Sequence, residues 1–175
     1  MVSVRLKAHY KGRIRAVPPQ PNLEMPSKSK PLPIYILNGP NLNLLGSREP
    51  EIYGRATLAQ ISRRATARAR EHGLKVAFRQ SNHEGELIDW IHECRTRGSG
   101  LILNAGALTH TSIAIHDACR ALGKPIIEVH LSNLAAREPF RHVSFVAKAA
   151  TGSISGLGAH GYVLAVDALA ALLEE

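Results

Sequence analysis

Only two cysteines, Cys94 and Cys119, occur in the 175 residues, and they form no CxxC pair. A disulfide-stapled secreted fold and a cysteine-based zinc site are therefore disfavoured, and a reducing cytosol fits best. No uninterrupted apolar run approaches the roughly 18 residues that span a bilayer, so no membrane-crossing helix is expected. The motifs GxxxxGK[ST], HExxH and GxSxG are all missing, which removes the nucleotide-hydrolase, zinc-protease and serine-hydrolase readings. Internal repeats are missing too, and lysine is scarce after residue 33, with Lys75, Lys124 and Lys148 alone.

Acidic side chains are nearly absent from residues 1–33, where Arg5, Lys7, Lys11, Arg13, Arg15, Lys28 and Lys30 face Glu24 alone. The remaining 142 residues hold 15 basic and 13 acidic side chains, so the net charge of +8 sits mostly in this segment. A nearly neutral body does not read as a nucleic-acid surface, and no nucleic-acid or membrane partner is expected. Pro18, Pro19, Pro21, Pro26, Pro31 and Pro33 are spaced too closely for a helix or an interior strand. Residues 1–33 thus read as a basic, proline-rich, disordered arm, and residues 34–175 as one domain of ordinary size. The arm lacks the apolar centre of a secretory signal. Two readings stay open for it: an organelle transit segment, or a true start at Met25 that leaves residues 1–24 dispensable.

From residue 34, short runs rich in Ile and Val alternate with longer segments of helical spacing. That alternation predicts a parallel sheet with crossover helices. Strands are expected at Ile34–Leu37, Leu74–Arg79, Leu101–Leu103, Pro125–Val129 and Val143–Val146. Leu58, Ile61, Ala65 and Ala69 mark one helical face, Leu87, Ile91 and Cys94 a second, and Ile113, Ala114, Ala118 and Leu122 a third. A last helix is expected from about Tyr162 to Leu173, and Gly73 and Gly123 are placed as left-handed helix ends. The fold class is α/β: a flavodoxin-like, doubly wound, five-stranded parallel sheet in a single domain.

Ligands in such sheets bind beyond the carboxyl ends of the strands. Those ends are polar: Asn38, Gly39, Pro40 and Asn41; Gln80, Ser81, Asn82 and His83; Asn104, Thr109 and His110; His130, Ser132 and Asn133. Asn133 and Ser81 serve equally well as turn and cap residues. The glycines of GLGAHG, residues 156–161, match dinucleotide spacing but open no βαβ unit, so they read as loop and helix-start geometry. Glu128 and His130, two apart on a strand, face one side; with no third ligand at defined spacing they do not read as a metal site. The loop NGPNLNLLGSREPEIYG, residues 38–54, carries Arg48 and Tyr53 between Gly46 and Gly54, which could hinge a lid. A free tyrosine is ionised in about one molecule in a thousand at pH 7, and a neighbouring cation favours the phenolate.

Six segments in order, NGPNLNLLGSREPEIYG, QSNHEGELIDWIHE, LNAGALTHTSIAIHDA, IEVHLSN, REPFRHVS and GLGAHGYVLAVDAL, resemble the type II 3-dehydroquinate dehydratases of the shikimate and quinate pathways. The likeness covers about residues 34–172. It implies cofactor-free anti elimination of water from 3-dehydroquinate, through an enolate, to 3-dehydroshikimate. Tyr53 would accept the C2 proton, with Arg48 lowering its pKa and stabilising the transition state. His130 would donate a proton to the departing hydroxyl, oriented by Glu128, and Asn41 would hold the water at the enolate oxygen. The resemblance places the substrate carboxylate at Leu131, Ser132 and Asn104, the ring hydroxyls at Arg141, His110 and Asp117, and Arg137 nearby. It further implies a cytoplasmic homododecamer, a tetramer of trimers, in which Asp117 serves a neighbouring site.

Spacing puts His110 and Asp117 on one helical face if their helix starts near Thr109. Pro139 departs from the family pattern, and a changed path between Arg137 and Arg141 is expected there. Two other readings stand beside the dehydratase: Schiff-base chemistry through Lys148, just past the expected fifth strand, and a non-catalytic flavodoxin-like binding or scaffold protein. Retention of Arg48, Tyr53 and His130 argues against the latter.

Overall fold

A computed structural model describes residues 32–47 and 55–174 of the chain. The arm through residue 31, the stretch 48–54 with Arg48, Tyr53 and Gly54, and Glu175 lie outside the described residues.

Five parallel strands form one sheet: β1 (Ile34–Asn38), β2 (Val76–Gln80), β3 (Gly100–Asn104), β4 (Ile126–His130) and β5 (Gly152–Ser155), in the order β2-β1-β3-β4-β5. Every residue of β1, β3 and β4 is buried, as expected of strands covered on both faces. Alternate residues therefore feed two cores. Ile34, Ile36, Ile102, Ile127 and Val129 meet α1 (Leu58–Glu71) and α4 (His160–Glu174). Tyr35, Leu37, Leu101, Leu103 and Ile126 meet α2 (Glu84–Arg97) and α3 (Ile113–Leu122). This is the doubly wound, flavodoxin-like arrangement the alternation predicts.

Local chemistry sets the helix ends. Thr57 and Gln60 exchange side-chain and backbone hydrogen bonds at 3.2 and 3.0 Å before α1, a reciprocal cap that satisfies two otherwise unpaired amides. At the other end Gly73, with φ +69°, lets the Leu74 amide reach the Ala69 carbonyl at 2.8 Å while its own amide meets Arg70 at 2.9 Å. Ser112 caps α3 by accepting from the Ile115 amide at 2.8 Å.

Three sequence-based expectations need correction, the first being the face of α3, where Ile113 and Ala114 are exposed and Ile115, Ala118, Cys119 and Leu122 enter the core. The fifth strand is Gly152–Ser155, and Val143–Val146 is not a strand. That segment is tied elsewhere: the Phe145 amide donates to the Thr109 carbonyl at 2.9 Å, and Nδ1 of His110 and of His116 bond the Val143 and Phe145 carbonyls at 2.7 and 2.8 Å. Its apolar residue Val146 is fully buried, but in the core beside α3 rather than in the sheet. Lys148 accordingly precedes the last strand. The third helix, moreover, begins at Ile113, after a 3-10 turn at Gly106–His110, so His110 and Asp117 do not share a helical face.

Smaller differences concern ends: β2 starts at Val76, β4 runs on to His130, and α4 starts at His160. GLGAHG is loop and helix start, with Gly156 and Gly158 at positive φ. Pro139 occupies the first position of a 3-10 turn, Pro139–Arg141, where an amide donor is not needed. Among the described residues no helix is long and apolar enough to cross a membrane.

Candidate active site

All five strands end on polar residues: Asn38, Gln80, Asn104, His130 and Ser155. The strand order reverses direction between β1 and β3, and there a cleft opens. The chain leaving β1 crosses it at Gly39, where a Cβ would collide with the Ala105 carbonyl; only glycine fits that approach. Asn41 follows in a left-handed conformation, φ 68°, with its amide donating to Asn82 Oδ1 at 2.9 Å.

Asn41, Asn104, His110, His130, Leu131, Ser132, Arg137 and Arg141 all line this cleft. Eight residues that the sequence places on separate loops and strands are thereby brought together. Glu128 stands behind His130. Asp117 is exposed on α3 and is not among the cleft-lining residues. Lys148 stands over the Phe145 ring at 5.0 Å, away from the cleft, and Lys124 donates to the Cys94 and Gly98 carbonyls. Among the described residues no group of three His, Cys, Asp or Glu is arranged to hold a metal ion.

The protonation of the pair on β4 follows from its hydrogen bonds. Glu128 is 1% exposed, and three groups converge on its carboxylate: His130 Nε2 at 2.9 Å and Ser144 Oγ at 2.6 Å on Oε1, and Ser153 Oγ at 2.9 Å on Oε2. Burial alone would push this carboxyl up. The bond and charge of His130, with the two hydroxyls, outweigh burial and hold it below the usual carboxylate range. An ionised carboxylate only accepts, so Nε2 of His130 carries the proton between them. Nδ1 is then the ring nitrogen free to exchange a proton with the cleft.

His110 lies beside it, the two rings stacked with centroids 6.3 Å apart. Its Nδ1–H is committed to the Val143 carbonyl, so a neutral His110 presents Nε2 as an acceptor suited to a hydroxyl.

Sequence reasoning missed the supports. Asn38 and Asn104, register partners at the ends of β1 and β3, are joined through Tyr162 of α4. The Tyr162 hydroxyl donates to Asn38 Oδ1 at 2.6 Å and accepts from Asn104 Nδ2 at 2.9 Å, while Asn104 Oδ1 accepts from the Gly106 amide at 3.2 Å. One Asn104 hydrogen remains for the cleft. Tyr162 is fully buried and its pKa is pushed up by burial, so it is a fixed phenol rather than a base. Glu138 was missed as well, though its place between Arg137 and Arg141 was a signal. Its carboxylate accepts from both Nε groups, at 3.1 and 3.0 Å, while Arg137 also donates to Ser132 Oγ at 3.2 Å. Ser144 and Ser153 carried no signal, because the strand that holds one was placed on the segment that holds the other.

The comparisons with known proteins decide the family. Residues 32–170 match the model for dehydroquinase class II. The chain belongs to the class II dehydroquinases. It is 58% identical to 3-dehydroquinate dehydratase 2 of Pseudomonas putida over 146 residues, covering 83% of this chain and 97% of that protein. It is 62% identical to the 3-dehydroquinate dehydratase of a Chelativorans species over 141 residues, 80% and 97% of the two chains. Among solved structures, the type II dehydroquinase of Propionibacterium acnes superposes with a TM-score of 0.77 at 47% identity, covering 82% of this chain and 97% of that one.

Tyr162→Phe leaves the shape of α4 intact but strips two buried amides of a partner. It is expected to destabilise the protein by about 1–3 kcal/mol, read by urea unfolding; an unchanged midpoint would show that the hydroxyl joins nothing that matters to the fold.

Proposed function

We propose that the chain is a 3-dehydroquinate dehydratase, a hydro-lyase that removes water from 3-dehydroquinate to give 3-dehydroshikimate. The observation that carries this reading is the Glu128–His130 couple at the end of β4: a histidine with one nitrogen bound to a buried anion and the other at a cleft rimmed by Arg137 and Arg141.

Each role follows from the chemistry. The C2 hydrogen lies next to a carbonyl, so its removal gives an enolate. Tyr53, as phenolate, takes that proton, and Arg48 on the same loop favours the ionised phenol and offsets the developing charge. Asn41 holds a water at the enolate oxygen. The C1–O bond then breaks as His130 delivers its proton to the leaving hydroxyl, and water departs. Glu128 stabilises the imidazolium that performs this delivery. The substrate carboxylate is met by Asn104, Ser132 and the backbone at Leu131, and Arg141 and His110 hold ring hydroxyls. Arg137 adds positive charge, with Glu138 keeping the two guanidiniums in place before substrate arrives. The chemistry uses neither metal nor organic cofactor.

Asp117 stands apart from its own cleft, which fits service to a neighbouring subunit in a homododecamer, a tetramer of trimers. The enzyme works in the cytoplasm.

The test follows the absorbance of the conjugated enone as protein meets 3-dehydroquinate, with and without EDTA, and after borohydride treatment in the presence of substrate. Turnover insensitive to both is expected. Loss of activity to borohydride would move the chemistry to a lysine, and no turnover from a folded oligomer would leave a binding or scaffold protein. Tyr53→Phe should bind substrate and keep its assembly while losing nearly all turnover; wild-type rates in that variant would remove Tyr53 as the base.

A further inference from the structure

Oε1 of Glu128 is shared by two donors, His130 Nε2 at 2.9 Å and Ser144 Oγ at 2.6 Å. The direction of the Ser144 bond is determined, because its oxygen also accepts from the Ala147 amide at 2.8 Å, which leaves the hydroxyl hydrogen for the carboxylate. The backbone on either side is latched: the Val143 carbonyl by His110 and the Phe145 carbonyl by His116, at 2.7 and 2.8 Å. Ser144 is therefore held against Glu128 by the 3-10 turn after β3 and by α3, and one of its two latches, His110, is a wall of the cleft.

We propose that Ser144 is a positioning residue that sets the proton affinity of His130 through Glu128. The hydroxyl draws charge from the oxygen that His130 shares, and so weakens the pull of that oxygen on the Nε2–H of the ring. Other groups also face the pair. Ser153 of β5 donates to Oε2, the oxygen His130 does not touch, and the Cys119 thiol of α3 is pushed up to about 12 by burial and by the Glu128 charge, so it stays neutral. The His110 ring stacks on His130 from the 3-10 turn. Among these, Ser144 alone bonds the shared oxygen.

The inference rests on His130 as proton donor in the proposed reaction, but its first readout does not depend on turnover. In Ser144→Ala, the charge left on Oε1 binds the imidazolium more tightly, so the His130 ring, followed by NMR of its carbon-bound protons, should titrate at higher pH than in the wild type. Ser153→Ala should move it less. In kinetics the limb of the kcat profile that belongs to His130 should shift the same way. The kcat value should fall by about tenfold or more with KM little changed, and Ser144→Thr should restore both. An unmoved His130 titration in Ser144→Ala would overturn the proposal whatever happened to the rate. If the alanine variant fails to fold, Ser144→Cys, a weaker donor, must move the titration in the same direction, and no movement there overturns it equally. Wild-type protein that turns over no 3-dehydroquinate would contradict the proposed function, while the titration would still decide the role of Ser144.

Discussion

A carboxylate that is 1% exposed can stay ionised only if the protein replaces the water it has lost, and Glu128 imposes that demand on everything around it. The demand is met from three directions. Ser153 comes from the register position opposite Glu128 on β5. Ser144 comes from a segment that never enters the sheet, and His130 comes from two residues further along β4 itself. Loss of either hydroxyl removes one hydrogen bond to a charged group, about 1.5–3 kcal/mol, while loss of His130 removes the one partner that can carry the opposite charge. The arrangement supplies what the chemistry needs: one ring nitrogen fixed on an anion, the other at the cleft.

A second buried polar array lies under the same floor and is neutral throughout. Asn38, Tyr162 and Asn104 tie the ends of β1 and β3 to α4, so the amide that faces the cleft is held in place by a helix packed on the sheet. A third group, Arg137, Glu138 and Arg141, is more exposed and is arranged about one carboxylate. The gradation is functional in sense: groups that must keep a protonation state are buried, and groups that must meet an incoming anion are near water.

Much of this was legible in the sequence because a parallel sheet writes its buried strands as continuous Ile, Leu and Val runs and its site as the polar residues that end them. Ile34–Asn38 and Ile126–His130 are plain examples. Val143–Val146 misled because a short run with valine and phenylalanine also describes a half-buried irregular segment, and its actual partners, His110 and His116, lie 33 and 29 residues away in the chain. The true β5, GSIS, is an edge strand with a glycine and two serines, and it has no apolar run to announce it. That one error also hid Ser144 and Ser153. Tyr162 was hidden differently: a tyrosine at the start of an apolar helix looks like core, and its hydroxyl acquires meaning only when two asparagines from other strands are seen to meet it.

The central claim is that Glu128 is ionised and holds His130 by Nε2. Measuring the ring nitrogen-15 shifts of His130 across its titration tests this directly. The account predicts that Nε2 keeps its proton throughout and that Nδ1 alone exchanges one. A neutral ring protonated at Nδ1, with Nε2 bare, would mean that Glu128 carries the proton itself, and the account would fail.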